Sequence, residues 1–235
     1  MVLRLVYNGP MKLLAVETST ELCSVAVLRD GELFLEEAMA ENRHSDLLVP
    51  MLRRVLERAH LTPPQMDAFA FGQGPGSFTG LRIACGIVQG LAYASAKPVV
   101  PVPTLLALAE QSNEARVLAA LDARMGEAYL AAYARNGTDW DEVIAPRLAG
   151  PADLPPLPGR RWVATGSGFA RHPWLRDANR EAVEMRYEGD LPRAGAIARI
   201  AARRLGLGAG VPAEQATPLY LRDKVARTSE ERRRS

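Results

Sequence analysis

Gly72-Gln73-Gly74-Pro75-Gly76-Ser77-Phe78-Thr79-Gly80-Leu81-Arg82 is the stretch from which the rest of the chain can be read. Asp67-Ala-Phe-Ala-Phe71 precedes it, and an alanine-rich helical pattern follows from Thr79 to Ala96. The local prediction is strand, glycine turn, helix. Gly72, Gly74 and Gly76 permit backbone angles that a side chain forbids, and Pro75-Gly76 suits the centre of a type II turn. Ser77 or Thr79 caps the helix, whose free N–H groups then face the loop. Such a turn is either a tight connection or a place where an anion or a partner's backbone docks, and spacing alone admits both. A dinucleotide site also calls for an acidic residue about twenty positions on, at the end of the next strand. The next strand candidate, Pro98–Val102, ends in proline and threonine, which argues against that class.

A chain of 235 residues buries a substantial core, and its formal charge of +2 gives no bulk-charge argument for a nucleic-acid binder. Its two cysteines, Cys23 and Cys85, lie in apolar patterns and read as reduced core residues of a cytoplasmic protein. No apolar run approaches the ~18 residues that span a bilayer. Met1–Pro10 is too short and polar for a signal peptide, and Met11 reads as the start of the fold. Residues 1–10 and 227–235 are expected to be flexible extensions.

Lys12–Glu17, Cys23–Leu28 and Glu32–Ala38 read as three consecutive antiparallel strands, with Asp30-Gly31 as a hairpin turn. A helix follows, its apolar stripe formed by Leu47, Leu48, Met51, Leu52, Val55, Leu56 and Ala59, with His60 at its end. The glycine turn and its helix come next, then a strand at Val99–Val102 and a helix over Thr104–Gln111. A boundary falls near Ser112–Arg116, because a similar order begins again. Val117–Leu121, Glu127–Ala134 and Asp141–Leu148 are strand candidates. Pro151–Arg161 is an extended connection, and Trp162–Thr165 is a strand ending in Gly166-Ser167-Gly168. Pro192 starts a last helix that stops at Gly206, and Pro218–Leu221 is expected as a final short strand. The prediction is two α/β lobes, 11–112 and 113–226, each a mixed sheet flanked by helices, in an actin/hexokinase-like architecture.

The chemistry on offer is limited. The three histidines share no helical turn, no ligand cluster stands at metal spacing, and neither a Walker lysine motif nor a G-x-S-x-G elbow is present. Ser77 lies among glycines with no local base. His44 reads as a capping or solvent-facing residue with a ligand or partner contact as the rival. Asp122-Ala-Arg124-Met-Gly-Glu127 reads as a self-satisfied polar turn or a ligand site. Arg193, Arg199, Arg203, Arg204 and Arg232–Arg234 read as a solvated basic face with RNA contact as the rival. More telling, Gly86, Gly90 and Ala94 recur every four residues along the helix after the turn. Each interior glycine costs ~1 kcal/mol relative to alanine, and close approach of another helix is the usual compensation. That neighbour is either the Leu47–Ala59 helix or a helix of another subunit.

Lys12-Leu-Leu-Ala-Val-Glu-Thr-Ser-Thr20, Gly74-Pro-Gly-Ser-Phe-Thr-Gly-Leu-Arg82, Asp122-Ala-Arg-Met-Gly-Glu127 and Pro218-Leu-Tyr-Leu-Arg222, in that order, closely resemble the TsaB (YeaZ) family. The likeness runs from Met11 to about Ala226. It implies an actin-like fold and a role as dimerisation subunit in tRNA threonylcarbamoyladenosine synthesis. There TsaD, assisted by the ATPase TsaE, transfers a threonylcarbamoyl group to the adenosine beside the tRNA anticodon. The family's contact surface maps here onto His44, Leu48, Met51, Leu52 and Val55 of the first helix and Ile83, Gly86, Ile87, Gly90 and Ala94 of the second. The same surface is expected to form a homodimer when TsaD is absent. Thr18, Ser19, Gly74, Gly76, Ser77, Asp122, Arg124, Gly166 and Gly168 are the expected nucleotide or anion contacts. By the resemblance, TsaD holds its metal through an H-x-x-x-H motif where this chain has Val102-Pro-Thr-Leu-Leu-Ala-Leu-Ala109. The first phosphate hairpin, Thr18–Cys23, lacks the usual glycine, and Glu17 stands where aspartate is common. The expectation is a non-catalytic partner: no metal, no catalytic residue, no cofactor bound alone, ATP or ADP at a composite site, and tRNA met through the complex. The alternative is an independent phosphotransferase or a glycoprotease-like peptidase.

Overall fold

A computed structural model of the chain describes residues 10–222, the side chains of Met185 and Arg186 excepted. The expected opening strands form β1 (Lys12–Glu17), β2 (Leu22–Arg29) and β3 (Glu32–Met39), antiparallel in that order. Asp30 and Gly31, at φ 51° and 90°, make the hairpin turn between β2 and β3. Then come α1 (His44–Arg58), β4 (Ala68–Gly74), α2 (Phe78–Ser95), β5 (Val99–Pro103) and α3 (Thr104–Ser112). The first sheet runs β3-β2-β1-β4-β5, with β4 and β5 parallel to β1.

The order then repeats. β6 (Arg116–Asp122), β7 (Ala128–Asn136) and β8 (Asp139–Ala149) are antiparallel, β9 (Trp162–Gly166) is parallel to β6, and β10 (Val183–Glu188) is parallel to β9. The second sheet is thus β8-β7-β6-β9-β10, the first sheet's order over again. This is the two-lobed actin-like fold. Not read from the sequence were α4 (Ser167–Arg171), α5 (Pro173–Asn179), β10 and two short 3-10 turns, Pro63–Gln65 and Ala213–Gln215. The helices are too short to show a period, and β10, an edge strand, was overlooked although Val183–Glu188 alternates apolar and charged residues. The strand expected at Pro218–Leu221 is absent: Pro218 has no N–H, and Leu219 N–H makes a single bond of 2.6 Å to the Gln73 carbonyl.

Strand alternation sorts the side chains into three cores. Leu14, Val16, Val25, Val27, Phe69 and Phe71 face α1 and α2 on the outer side of the first sheet. Leu118, Leu130, Trp162 and Ala164 form the outer core of the second sheet with Phe169 and Leu175. The inner faces, with Leu13, Ala15, Ala26, Ala68, Ala119, Leu121 and Ala131, share one central core with α3 and α6 (Ala194–Gly206). Both helices reach across: α6 follows the second sheet but packs on β1, β2, β4 and β5, while α3 follows the first and lies between the sheets, against β6, β7 and β9 as well as β4 and β5. Leu105–Ala109 are buried without exception, as expected for a helix covered all round.

Where the two helices meet, Arg203 donates two hydrogen bonds to Glu110, at 3.0 and 2.8 Å, and Trp140 Nε1 donates a third at 2.8 Å. Arg199 and Arg135 stand 3.8 and 4.0 Å from the same carboxylate. Arg193 pairs with Glu37 of the first sheet. The expectation of a solvated basic face is therefore wrong for Arg199 and Arg203, which tie the lobes together; Arg193 is exposed as expected, although it too pairs across the lobes, and Arg232–Arg234 lie outside the described residues. Burial alone would raise the Glu110 carboxyl, but the Arg203 and Trp140 bonds and the nearby guanidinium charges outweigh it and hold it below 4.5.

A carboxylate held low when folded adds stability above its unfolded-state value, and that stability is lost as pH falls through the folded one. Glu110→Ala is expected to cost about 3–5 kcal/mol at neutral pH, the usual penalty for breaking a buried ion pair from one side. Denaturant melts of both proteins from pH 7 to pH 3 should show the difference shrinking towards the acid end; a difference independent of pH would contradict the assignment.

Candidate functional site

Between the lobes lies a cleft of about 970 Å³. The first lobe supplies Ser19–Glu21 from the β1–β2 turn, and Pro75–Leu81 from the glycine turn and the start of α2. The second supplies Leu121–Met125 from the β6–β7 turn, with Ser167 and Arg171 of α4. Of the expected nucleotide or anion contacts, the cleft brings together Ser19, Gly76, Ser77, Asp122 and Arg124; His44 lines it too. Thr18, Gly74, Gly166 and Gly168 are not in its wall. The Thr18 hydroxyl donates to the Gly80 carbonyl at 2.8 Å, and Gly74 N–H donates to Thr104 Oγ1 at 3.1 Å. Gly166 and Gly168 lie against Ala120, whose carbonyl oxygen a Cβ on Gly166 would meet at 2.2 Å.

The glycines of the turn are explained by the chain's own backbone. A Cβ on Gly72 would lie 1.8 Å from Glu17 Oε2, one on Gly76 would lie 2.6 Å from the Ser19 carbonyl oxygen, and one on Gly80 would lie 1.9 Å from that of Thr18. Ser77 N–H closes the contact, donating to the Ser19 carbonyl at 2.7 Å. The turn is therefore laid flat on the β1–β2 hairpin. The residue in left-handed conformation is Gly74, at φ 111°, and not Gly76 as a type II turn would require; the Gly74–Pro75 peptide is cis. Ser77 is the cap, its Oγ accepting from Gly80 N–H at 3.3 Å.

This packing seals Glu17. Its carboxylate has no exposed surface, accepts from Ser19 N–H at 2.6 Å and from the Thr104 hydroxyl at 3.4 Å, and lies outside the cleft wall. Burial pushes its pKa up from 4.5 to about 7, the hydrogen bonds recovering only part of the shift. In the second lobe Asp122 ends β6 as Glu17 ends β1, but it opens to the cleft. Its Oδ1 accepts from Arg124 N–H at 2.9 Å and lies 2.9 Å from His172 Nε2. His172, between α4 and α5, was missed, since no motif surrounds it. Only the repeat relating β6 to β1 points to that strand end.

The expected partner face divides in two. His44, Leu48, Met51, Leu52 and Val55 are buried. The four apolar residues pack under α1 in the outer core, and His44 Nε2 lies 2.8 Å from the Thr20 carbonyl. Those four support the face from beneath and present nothing to a partner, because the stripe that marks an amphipathic helix is the side it buries. Ile83 and Ile87 are half-buried, and Gly86, Gly90 and Ala94 are exposed beside Tyr93, which is 80% exposed. A Cβ on Gly86 or Gly90 would meet nothing within 4 Å. So α1 is not the neighbour that these glycines accommodate.

Among the described residues no three His, Cys, Asp or Glu gather as a metal site, and no helix is long and apolar enough to cross a membrane. Residues 38–172 match the family model for TsaD, tRNA N6-adenosine threonylcarbamoyltransferase. The tRNA threonylcarbamoyladenosine biosynthesis protein TsaB of Escherichia coli K12 is 36% identical over 92% of this chain and 96% of its own length. The solved structure of YeaZ from Pseudomonas aeruginosa superposes with a TM-score of 0.81 at 36% identity, covering 90% of this chain and all of that one. Another, described as an uncharacterized protein with similarity to the peptidase YEAZ from Pseudomonas aeruginosa, superposes at 0.82 with the same identity and coverage.

Two measurements check these contacts. Gly80→Ala should destabilise by ~3 kcal/mol, because its Cβ would collide with backbone, whereas Gly86→Ala should stabilise by ~1 kcal/mol on an open helix face. Equal effects in urea melts would refute the distinction between closed and open glycines. For Glu17, a folded-state pKa above the unfolded one means stability falls as pH rises from 4.5 to about 7 and is level beyond. Glu17→Gln should therefore be more stable than the parent by up to about 3 kcal/mol at pH 8, with the two converging near pH 4.5. A parent that stays ahead at pH 8 would rule this out.

Proposed function

Because the chain belongs to the TsaB family of tRNA threonylcarbamoyladenosine biosynthesis proteins, we propose that it serves this pathway by binding: it docks TsaD through the open face of α2 and leaves the transfer to its partner. The observation that carries this reading is the strip Gly86, Gly90, Ala94, exposed and with open space above both glycines. Two interior glycines weaken α2 by about 1 kcal/mol each, and among the described residues nothing packs into the space they leave. A second helix laid there approaches to the short end of the ~8–10 Å range of helix packing. Half-buried Ile83 and Ile87, continuous with the outer core beneath, supply apolar contact at its border.

The sealed strand end supports a non-catalytic role. Glu17 stands where an actin-like ATPase would turn its acid towards ligand, yet Gly72 covers it and the cleft does not reach it. Ser77, the candidate nucleophile of a peptidase reading, is engaged as the cap of α2. In this account nucleotide, ATP or ADP, is bound only where the assembled complex completes a site, TsaE acts on that complex, and tRNA is met through it in the cytoplasm. A homodimer uses the same strip when TsaD is absent, so the two assemblies compete.

Gly86→Leu and Gly90→Leu are expected to abolish co-purification with TsaD and, in light scattering, to leave the isolated chain monomeric. Their circular dichroism should match the parent's and their melting temperature should not fall, since the added side chains project into solvent and leucine is the better helix former. Full retention of TsaD by both variants would remove the docking surface from α2.

A further inference from the structure

After α6 the chain runs back along the first lobe and then leaves it. Val211 exchanges two backbone hydrogen bonds of 2.8 Å with Val99 at the edge of β5. The Ala216 carbonyl accepts from Gln89 Nε2 at 2.9 Å and lies 3.3 Å from Cys85 Sγ, both on α2. Leu219 N–H donates to the Gln73 carbonyl in the glycine turn at 2.6 Å, and the Leu219 carbonyl oxygen lies 2.7 Å from where a Cβ on Gly74 would be. Tyr220 sets its ring 5.2 Å from that of Phe78 and accepts at its hydroxyl from Arg82 Nε at 3.1 Å; the Arg82 guanidinium covers the Phe78 ring at 3.9 Å.

Two residues later the chain is fastened to the other lobe. Arg222 donates to the Ala123 carbonyl at 2.9 Å and to Glu127 Oε2 at 2.7 Å, and its other amino group lies 3.2 Å from Met125 Sδ. All three partners belong to the β6–β7 turn. The Arg222 side chain is only 15% exposed, so this ion pair is better shielded than an ordinary surface pair. Leu219–Arg222 line the cleft along with the turns they join.

We propose that residues 216–222 are a latch across the mouth of the cleft, with one end clamped to the glycine turn and α2 and the other to the β6–β7 turn. The lobes are joined at the floor by the crossing of α3 and α6. A tie at the mouth sets how far they open, and releasing it at either end frees both turns. The latch is a property of the isolated chain and does not rest on the docking of TsaD. Two-lobed folds of this kind open by hinge motion about a few positions, and a strap of one extended segment with side-chain clamps is a tie that local unfolding can release.

Hydrogen exchange on the full chain, read by mass spectrometry, tests this. Arg222→Ala cuts the far end, Glu127→Gln weakens the same tie and leaves the strap intact, and Leu219→Pro removes the near-end N–H donor. With the latch present, the first two should speed exchange at Gly74–Gly80 of the first lobe by on the order of tenfold, although neither residue touches it. Leu219→Pro should do the same at Ala123–Glu127; tenfold corresponds to a loss of about 1.4 kcal/mol, the scale of one charge-assisted hydrogen bond. Exchange that rises only in the lobe each substitution touches would overturn the proposal, and because Glu127→Gln and Leu219→Pro act at opposite ends, the result does not hang on one variant's folding.

Discussion

The burial of α3 and α6 between two sheets is the constraint on which the rest of this structure depends. Each helix grows out of one sheet and packs against the other, so neither inner face is covered by its own lobe alone. The small residues of those faces, Ala15, Ala26, Ala68 and Ala119 among them, let the helices lie close. Glu110, with Arg203 and Trp140 bonded to it, fixes the crossing and satisfies charges that the core could not otherwise hold. Because the sheets are held face to face, the loops at the ends of β1 and β6 open towards each other across one cleft.

From that arrangement two different uses of glycine follow. Around the turn after β4, glycines let the chain lie directly against Glu17, Thr18 and Ser19 at the end of β1. A glutamate at the end of β1 is one methylene longer than an aspartate; here it reaches under Gly72 and becomes part of the core. On α2 the glycines face open space, weaken the helix, and gain no contact from the other described residues in return. The first kind is a requirement of the fold. The second is the feature on which the proposed docking face rests.

Much of the fold was legible because its strands are regular. The β1–β2–β3 meander showed in alternation and an Asp-Gly turn, and the repeat of that meander after Arg116 showed a second lobe. The exchange of α3 and α6 did not show, since a pattern of buried positions says that a helix is covered but not by which sheet. The family resemblance places a partner surface on Leu48, Met51, Leu52 and Val55, but these four are the face that α1 buries against its own sheet. Arg199 and Arg203 looked like solvated charge because their partner, Glu110, lies some ninety residues earlier in the chain. The glycine strip was legible from its period, while the emptiness above it required coordinates.

Reconstituted threonylcarbamoyl transfer to tRNA, with TsaD, TsaE and this chain supplied separately, tests the central claim most directly. If the chain acts by binding, transfer depends on its presence, fails with the α2 strip blocked, and persists near the parent rate with Asp122→Asn or Ser77→Ala in the cleft. Transfer or nucleotide turnover by this chain alone, or loss of transfer on either cleft substitution while TsaD remains bound, would contradict it.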